Sequence, residues 1–357
     1  MFVFNDQTTS LQNKSILVTG GAGFIGSHTS RQLIAAGCNV VVVDNFYSGH
    51  KWAVPSQALL VEGDAGDLAF MSRALSAHKI DAVIHFAGHI VVPESVTDPL
   101  KYHRNNTCCS RNLIEACIEH DIQNFIFSSS AAVYGIPTQI PVDETAPTAP
   151  INPYGRSKLM TEWMLEDTAN SFAIFTPSDK HQGQFRYVAL RYFNVAGASL
   201  DGTLGQATPE ATHLIKVACE AACGKRDHIE IFGTDYPTPD GTCIRDYIHV
   251  EDLAHAHLLA LSHLFKGGSS EILNCGYGSG FSVKEIVQAV KQVSGTNFKV
   301  VETERRLGDP PVLVADAGRI RKLLKWQPRL QDINVICETA FKWEQKQSAL
   351  CDTPKGT

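Results

Sequence analysis

The sequence predicts an α/β fold built on a doubly wound parallel sheet, with a smaller mixed α/β domain towards the C-terminus. Three observations lead to this prediction. Short apolar runs alternate with helical stretches through about the first 170 residues, no proline or glycine interrupts those runs, and a glycine-rich turn joins the first run to the first helix. Strands that alternate with helices are typical of βαβ units, whose strands pair in parallel.

The elements follow one another along the chain with turn residues between them. Apolar runs bounded by turn residues predict buried strands, and they cover residues 16–18, 39–43, 58–61, 82–86, 125–127 and 187–192. Helices are predicted over residues 24–36, 67–78, 98–120, 153–169, about 210–223 and 282–294. The pattern changes after about residue 170, because residues 196–243 hold many glycine, proline and threonine residues. Residues 248–265 predict a further strand followed by a helix.

This order of elements predicts two domains, which a chain of 357 residues is long enough to form. Residues 14–192 are expected to form a nucleotide-binding domain, with a later contribution from about 244–266. Residues 193–345 are expected to form mainly a substrate-binding domain. The two ends, residues 1–13 and 346–357, are expected to be flexible.

The composition excludes several classes of function. A formal net charge of −6 argues against a nucleic-acid surface, which needs a clustered basic face. No apolar run approaches the ~20 residues of a membrane helix, and the polar N-terminus lacks a signal pattern, so a cytoplasmic location is expected. The ten cysteines are scattered without a Cys-x-x-Cys pair. That pattern favours reduced structural thiols, and no metal site is expected.

A glycine-rich turn indicates a Rossmann-like dinucleotide site. Gly20, Gly23 and Gly26 lie between a predicted strand and a predicted helix, where glycines let the backbone approach a pyrophosphate at the helix N-terminus. Asp44 ends the next strand, and a carboxylate there can bind both ribose hydroxyls while repelling a 2′-phosphate. NAD is therefore favoured over NADP. Asp64 follows another strand and could contact the adenine, although a plain turn residue is an equally good interpretation.

A serine, a tyrosine and a lysine indicate redox chemistry on an alcohol or ketone. Tyr154 and Lys158 are four residues apart, so they share one face of a helix. A tyrosine with its ordinary pKa of ~10 is a poor base, but a nearby ammonium and a positive nicotinamide ring would lower that pKa. We expect Tyr154 to take a proton from a substrate hydroxyl while Lys158 holds the nicotinamide ribose. Ser130, after the 125–127 strand and its polar turn, would hydrogen-bond the same hydroxyl.

Longer motifs resemble the extended short-chain dehydrogenase/reductase family, and in particular its members that epimerise UDP-hexoses. The likeness covers roughly residues 14–345, and its motifs lie at residues 83–88, 93–96, 124–130, 153–158, 191–194, 231–238 and 245–250. The resemblance implies interconversion of UDP-glucose and UDP-galactose at C4, through a transient 4-keto sugar and with bound NAD. It also implies a homodimer, with the helices near 98–120 and 153–169 pairing into a bundle.

The resemblance also implies roles for individual residues. Ser130 and Tyr154 become the catalytic pair, and Lys158 their ribose-binding partner. The implied cofactor contacts are Gly20, Gly23, Phe24, Ile25, Gly26, Asp44, Asn45, Asp64, Ala65, Phe86, Ala87, Gly88, Asn105, Ser128, Tyr154, Lys158 and Tyr192. The implied substrate contacts are Ser130 and Tyr154 at the sugar, Asn194 and His213 at the phosphates, Phe232 at the uracil, and Arg245, Arg306 and Asp309 at the diphosphate and uridine ribose.

Four positions depart from the family's pattern. Ala132 replaces the threonine that some relatives have beside the catalytic serine, which removes a hydrogen-bonding group. His213 lies where some relatives have asparagine, so it could donate a hydrogen bond to a phosphate or be an ordinary core or surface histidine. Ile90 lies where some relatives have a lysine near the cofactor. Leu313 lies near the position whose bulk limits the sugar pocket, which leaves tolerance for N-acetylated sugars undecided.

Other functions on the same fold are open to different degrees. A nucleotide-sugar dehydratase usually has an Asp-Glu pair just after the catalytic hydroxyl residue, whereas Ala131 and Ala132 occupy that place. A 4-epimerase of UDP-GlcNAc and UDP-GalNAc, of UDP-pentoses or of UDP-uronic acids is harder to exclude. A protein that binds NAD without turnover would be expected to lack the serine, tyrosine or lysine.

Overall fold

The computed structural model describes residues 6–174, 184–209, 211–306 and 309–351. The strands are β1 (Ser15–Thr19), β2 (Asn39–Asp44), β3 (Leu59–Glu62), β4 (Ala82–His85), β5 (Asn124–Ser130), β6 (Arg186–Tyr192), β7 (Asn194–Ala196), β8 (His228–Phe232), β9 (Ile244–His249), β10 (Glu271–Cys275), β11 (Gly280–Ser282), β12 (Lys299–Thr303) and β13 (Val312–Leu313). The helices are α1 (Phe24–Ala35), α2 (Leu68–His78), α3 (Val92–Thr97), α4 (Pro99–Tyr102), α5 (Cys109–Glu119), α6 (Pro153–Ile174), α7 (Leu214–Ala222), α8 (Val250–Phe265), α9 (Val283–Ser294), α10 (Gly318–Leu324) and α11 (Ile333–Cys351).

The larger sheet has seven strands in the order β10-β6-β5-β4-β1-β2-β3, and all its pairs are parallel. Successive residues of β1 point to opposite faces. Ile16 and Val18 belong to a core shared with α1 and α8, whereas Leu17 belongs to a second core shared with α2 and α5. The sheet is therefore covered by helices on both faces, and the predicted doubly wound α/β fold is confirmed.

The smaller lobe is built around β9. This strand pairs in parallel with β7 and β13 and antiparallel with β11, while β8 and β12 form a separate parallel pair. Helices α7, α9 and α11 pack against one another beside these strands. The predicted contribution of residues 244–266 to the nucleotide domain is divided between the lobes, because β9 belongs to the small sheet whereas α8 packs on α1. The last strand of the large sheet, β10, is one that the sequence did not predict.

The predicted helix over residues 98–120 is interrupted. A π-helix, His103–Cys108, lies between α4 and α5. Within it the buried Asn106 side chain accepts a hydrogen bond from the backbone N–H of His89 at 2.8 Å and donates to the His89 carbonyl at 3.0 Å. π-helical turns of this kind often occur at functional sites. Here the turn brings an amide to the loop that follows β4 and fixes that loop.

Parts of the two predicted ends are helical. A 3-10 helix spans Asp6–Leu11 and buries Leu11 completely, and α11 continues to Cys351. Residues 1–5 and 352–357 of the two predicted ends lie outside the described residues, as does residue 210 at the start of the predicted 210–223 helix. That helix begins at Leu214, because His213 before it has an extended backbone.

Candidate active site

One large cleft lies between the carboxyl ends of the parallel strands and the smaller lobe. Its volume is about 1430 Å³. Crevices beyond the carboxyl ends of the strands are the usual ligand sites of open α/β sheets. Every residue that the sequence predicted for the cofactor or the substrate lines this cleft. The predicted set is therefore brought together in space, although it is spread over almost 300 positions of the chain.

The glycine turn after β1 has the geometry of a dinucleotide cradle. Gly20 has φ +67°, and a Cβ atom there would lie 2.7 Å from the backbone nitrogen of Ala87. A Cβ atom on Gly26 would lie 2.2 Å from the Gly20 carbonyl oxygen. The N-cap of α1 is Gly23, which has no side chain to cap the helix. The first amides of α1 are thus available to an anion, and a pyrophosphate fits this turn.

Two carboxylates flank the glycine turn. The nearly buried Asp44 accepts hydrogen bonds from the backbone N–H groups of Ala22 at 2.9 Å and Phe46 at 2.8 Å. It therefore holds the glycine turn against the end of β2, and a carboxylate has lone pairs left for two ribose hydroxyls. Asp64 accepts a hydrogen bond from the Gly66 N–H at 2.8 Å. It is both a turn residue and part of the cleft wall.

The three candidate catalytic residues meet on one wall of the cleft. Ser130 is the last residue of β5, because the strand continues through the serine run that the sequence predicted as a turn. Its hydroxyl accepts from the Ala132 N–H at 3.2 Å, and its side chain acts on the ionisation of Tyr154. Tyr154 and Lys158 lie one turn apart near the start of α6 and are nearly buried. The Lys158 ammonium donates to the Ser128 carbonyl at 2.8 Å.

Burial controls the ionisation of this group. It raises the pKa of Tyr154, and the hydrogen bond with Ser130 opposes that shift. Burial also lowers the pKa of Lys158 to about 8, while the charge of Glu162 opposes that shift. The sequence predicted that the ammonium would lower the pKa of Tyr154. In the structure the largest influence on the pKa of Tyr154 is burial, which acts in the opposite direction.

A buried polar network behind the catalytic wall was not predicted. Glu162 lies one turn after Lys158 on α6 and accepts hydrogen bonds from the Ser129 hydroxyl and from the Arg191 Nε at 3.0 Å. The Arg191 Nη1 donates in turn to the Tyr134 hydroxyl at 3.0 Å. These contacts tie α6 to β5 and β6. A charged pair buried in this way is costly to break, so the network fixes where the catalytic side chains point.

The candidate uridine and diphosphate residues lie on the opposite wall. The Arg306 guanidinium stacks 3.7 Å from the centroid of the Phe232 ring. The Arg245 Nη2 is 3.3 Å from the Asp309 carboxylate. Two planar guanidinium groups can bind phosphate oxygens with paired hydrogen bonds, which an ammonium cannot do. An aromatic ring beside them suits a flat base.

His213 has a partner that the sequence did not reveal. The Gln206 side-chain amide lies 3.0 Å from the His213 Nδ1. Burial lowers the pKa of His213, so its ring is neutral at pH 7 and can donate a hydrogen bond without carrying charge. The Trp343 indole N–H donates to the Gln206 carbonyl at 3.0 Å. Gln206 is only seven residues before His213, whereas Trp343 is 137 residues after Gln206 and no local pattern connects them.

Residues 16–276 match the sequence model of the NAD dependent epimerase/dehydratase family. The chain belongs to this family. The match begins at the second residue of β1 and ends one residue after β10, so it covers all but the first residue of the seven-stranded sheet, as well as the glycine turn and the Ser130, Tyr154 and Lys158 group. The family resemblance that the motifs indicated is thereby confirmed.

Individual relatives cover almost the whole chain. It is 53% identical over 340 residues to the UDP-glucose 4-epimerase of Azospirillum brasilense, which is 95% of this chain and 94% of that protein. The crystal structure of UDP-glucose 4-epimerase from Brucella ovis in complex with NAD superposes with a TM-score of 0.87 at 45% identity, covering 93% of this chain and 98% of that one. The UDP-Glc/GlcNAc 4-epimerase from Campylobacter jejuni superposes with a TM-score of 0.80 at 49% identity, covering 94% and 100%.

Within the described residues, the helices are each too short or too polar to cross a membrane.

Proposed function

We propose that this protein interconverts UDP-glucose and UDP-galactose by epimerisation at C4, with NAD as its bound cofactor. The observation that carries the proposal is the meeting of Ser130, Tyr154 and Lys158 on the wall of a cleft that also contains a glycine cradle. The names of the Azospirillum, Brucella and Campylobacter relatives support it.

The residues of this chain have distinct tasks in that reaction. NAD, when bound beside the sugar, would supply reversible hydride transfer at C4. Tyr154 removes the proton from O4 and later gives it back, so it acts first as general base and then as general acid. Ser130 holds O4 within reach of the phenol. Lys158, fixed through the Ser128 carbonyl, holds the nicotinamide ribose.

The sugar and the UDP of the substrate must be held with different firmness. The 4-keto sugar must turn over in the cleft, so it must be held loosely, while the UDP must be held firmly. Phe232, Arg245 and Arg306 form a patch suited to uracil and phosphates, and it is made of groups that bind by stacking and paired hydrogen bonds. Firm attachment at the nucleotide keeps the sugar from escaping while it turns.

The competing dehydratase reaction lacks its usual acid and base in this cleft. The positions after Ser130 are Ala131 and Ala132, and both line the cleft with methyl groups. Elimination of water needs a proton donor and acceptor at the leaving hydroxyl. Alanine supplies neither.

A wider range of sugars is the second candidate. The Campylobacter relative is named for UDP-Glc and UDP-GlcNAc, and in this chain the half-buried Leu313 lines the cleft. An aliphatic side chain of medium size leaves room that a bulkier residue would fill. Parallel assays with UDP-galactose and UDP-N-acetylgalactosamine would compare the two substrates directly.

We also propose that the protein is a homodimer that pairs through α6 and the helical segment over residues 98–120. Leu100 on α4 is 72% exposed and Trp163 on α6 is 53% exposed, and α4 packs against α6. Large apolar side chains exposed on neighbouring helices are typical of interfaces. Light scattering of the purified protein should give twice the mass of the chain, and a Trp163→Arg variant should give the mass of one chain.

The test of the reaction is chromatography of the products after purified protein has been incubated with UDP-galactose and no added NAD. Formation of UDP-glucose would support both the epimerisation and a cofactor that stays bound through purification. Formation only after NAD is added would support the epimerisation and contradict firm retention. If the folded protein forms no UDP-glucose even with NAD, the hexose assignment is wrong.

A further inference from the structure

Two loops meet across the cofactor side of the cleft. Residues 45–49 follow β2, and residues 88–101 follow β4 and include α3 and the start of α4. The Lys101 ammonium donates to the Tyr47 hydroxyl at 3.0 Å and lies 5.4 Å above the Tyr47 ring. The Tyr47 ring also stands edge-on to the His89 ring, with 4.5 Å between their centroids. Both Tyr47 and His89 line the cleft.

The sheet order determines what lies beneath this contact. Strands β2 and β4 are the two neighbours of β1, and β1 ends in the glycine turn. A contact between the loops that follow β2 and β4 must therefore cross the carboxyl end of β1. The contact between Tyr47 and the 88–101 segment consequently spans the glycine cradle, where the pyrophosphate of a dinucleotide fits.

The 88–101 side of this contact is firmly anchored. Lys101 forms an ion pair with Glu94. The Glu94 carboxylate lies 2.9 Å from the hydroxyl of Tyr102, whose side chain is fully buried and whose hydroxyl is also 2.6 Å from the Val91 carbonyl oxygen. Lys101 is therefore held by groups that are themselves fixed in the protein.

The loop over residues 45–49 is anchored next to the cradle at its end, and its tip is exposed. The His50 N–H donates to the Ala22 carbonyl at 3.0 Å, which joins the end of this loop to the glycine turn. Tyr47 at the tip is 62% exposed. Contacts that are exposed open more easily than buried ones. The span over the cradle can thus open at Tyr47 without disturbing either anchor.

We propose that Tyr47 and Lys101 form a clasp over the glycine cradle that slows release of the bound dinucleotide. The clasp rests on the NAD site proposed above and adds two residues whose task is retention. The cofactor leaves between the loops after β2 and β4, and it stays bound until these loops separate. The clasp acts on the rate of release, because it bridges the exit without touching the sugar end of the cleft.

The test is a chase experiment on the full-length protein. The protein is loaded with radiolabelled NAD and mixed with excess unlabelled NAD, and the label that remains on the protein is followed with time. The variants are Lys101→Met, which keeps the aliphatic stem, and Tyr47→Phe, which removes only the hydroxyl. The matched control is Lys14→Met, because Lys14 pairs with Asp81 at 3.9 Å and lies 5.1 Å above the Phe265 ring, at the opposite end of β1 from the glycine cradle.

The expected result is a release rate about fivefold faster in both clasp variants, as the loss of one exposed charged hydrogen bond allows. The control should stay within about twofold of the unchanged protein. The melting temperature of the cofactor-free Tyr47→Phe protein should match that of the unchanged protein, because the contact it loses is exposed. Lys101→Met also breaks the half-buried ion pair with Glu94, so its melting temperature should be lower. A purely structural role would instead lower the melting temperature of both clasp variants without changing the release rate.

Three results would overturn the proposal. Release rates in both clasp variants that equal the control would show that the contact does not limit release. Rapid loss of label from the unchanged protein would also show that the contact does not limit release. If that protein still converts UDP-galactose once NAD is supplied, the proposed reaction stands and only the clasp is refuted. Failure to bind labelled NAD at all would refute both the clasp and the proposed cofactor site.

Discussion

Two glycines with the same backbone conformation allow a matched test of the cradle. Gly20 in the turn after β1 has φ +67°, and Gly295 at the C-terminal end of α9 has φ +66°. Alanine at either position must adopt the left-handed conformation, which costs about 1–2 kcal/mol for any residue with a Cβ atom. The two variants therefore share one contribution to the loss of stability.

The surroundings of the two glycines differ. A Cβ atom at Gly20 would lie 2.7 Å from the nitrogen and 3.0 Å from the Cα of Ala87, whereas at Gly295 nothing lies within 4 Å. Overpacking against backbone typically costs a further 1–3 kcal/mol, roughly. We therefore expect Gly20→Ala to lower the free energy of unfolding by about 2–5 kcal/mol and Gly295→Ala by about 1–2 kcal/mol.

Denaturant unfolding of the cofactor-free proteins measures the difference in free energy of unfolding between the two variants. Calorimetry measures the effect of each substitution on NAD binding. Residues 86–88 line the cleft, so a shift of Ala87 should weaken NAD binding by about tenfold or more, since a displacement that breaks one hydrogen bond to a charged group costs about 1.5–3 kcal/mol. Gly295→Ala should bind NAD like the unchanged protein. Equal losses of stability together with equal NAD affinities would refute the idea that Gly20 is required by the close approach of Ala87.

Three further predictions concern catalysis, substrate binding and stability. Tyr154→Phe should lower kcat by about 10²–10⁴-fold with little change in melting temperature, because it removes the proton-transferring oxygen and keeps the buried ring; steady-state assays with UDP-galactose check this, and a loss under about tenfold would contradict it. Arg306→Met should raise the KM for UDP-galactose by about tenfold, whereas Arg305→Met should change it little, because Arg305 pairs with Asp235 at 2.7 Å; similar KM values for the two variants would be the contrary result. Burial alone would raise the pKa of Glu251, but its hydrogen bond with His28 and other cationic and polar neighbours lower that pKa to about 2. Because this folded-state pKa lies below the ordinary value near 4.5, the ionised carboxylate stabilises the fold above that pH by about 3 kcal/mol. Glu251→Gln should therefore cost about that much at pH 7 and progressively less as the pH falls from 4.5 towards 2. Urea unfolding at pH 7 and pH 3 measures the difference, and a gap independent of pH would contradict the assignment.

Most of the large sheet could be predicted from the sequence, because its strands carry their own signal. Buried parallel strands are continuous apolar runs, and β1, β2 and β4 were recognised from three to five such residues each. Strand β10 was missed because its sequence, Glu-Ile-Leu-Asn-Cys, has polar residues within it. Asn274 in this strand accepts from the Tyr134 hydroxyl at 2.7 Å and donates to the Val142 carbonyl at 2.9 Å. Its burial depends on partners more than 100 residues away, which local patterns do not show.

The candidate site shows the same division. The glycine turn and the Tyr154–Lys158 pair were recognised because their spacing along the chain reflects local geometry, a turn and one helical face. Tyr47 was missed because its contacts join loops that only the folded sheet brings together. Gln206 was missed because its backbone contact is with Trp343 on the distant α11. The π-helix before α5 was missed for a related reason, since Asn106 gains its hydrogen bonds from the loop after β4. Sequence reasoning therefore finds the residues that local geometry constrains and misses those that support them from a distance.

The ionisation of Tyr154 and Lys158 indicates why proton transfer in this cleft would depend on a positive charge placed beside the phenol. Burial favours the neutral phenol of Tyr154 and the neutral amine of Lys158, so the cleft alone does not make a strong base. Any positive charge placed beside the phenol lowers its pKa and favours the phenolate. An oxidised nicotinamide ring carries such a charge and a reduced ring does not. In the proposed reaction, Tyr154 would therefore be a better base before the sugar is oxidised and would hold its proton more tightly afterwards, beside the 4-keto oxygen, until the sugar is reduced again.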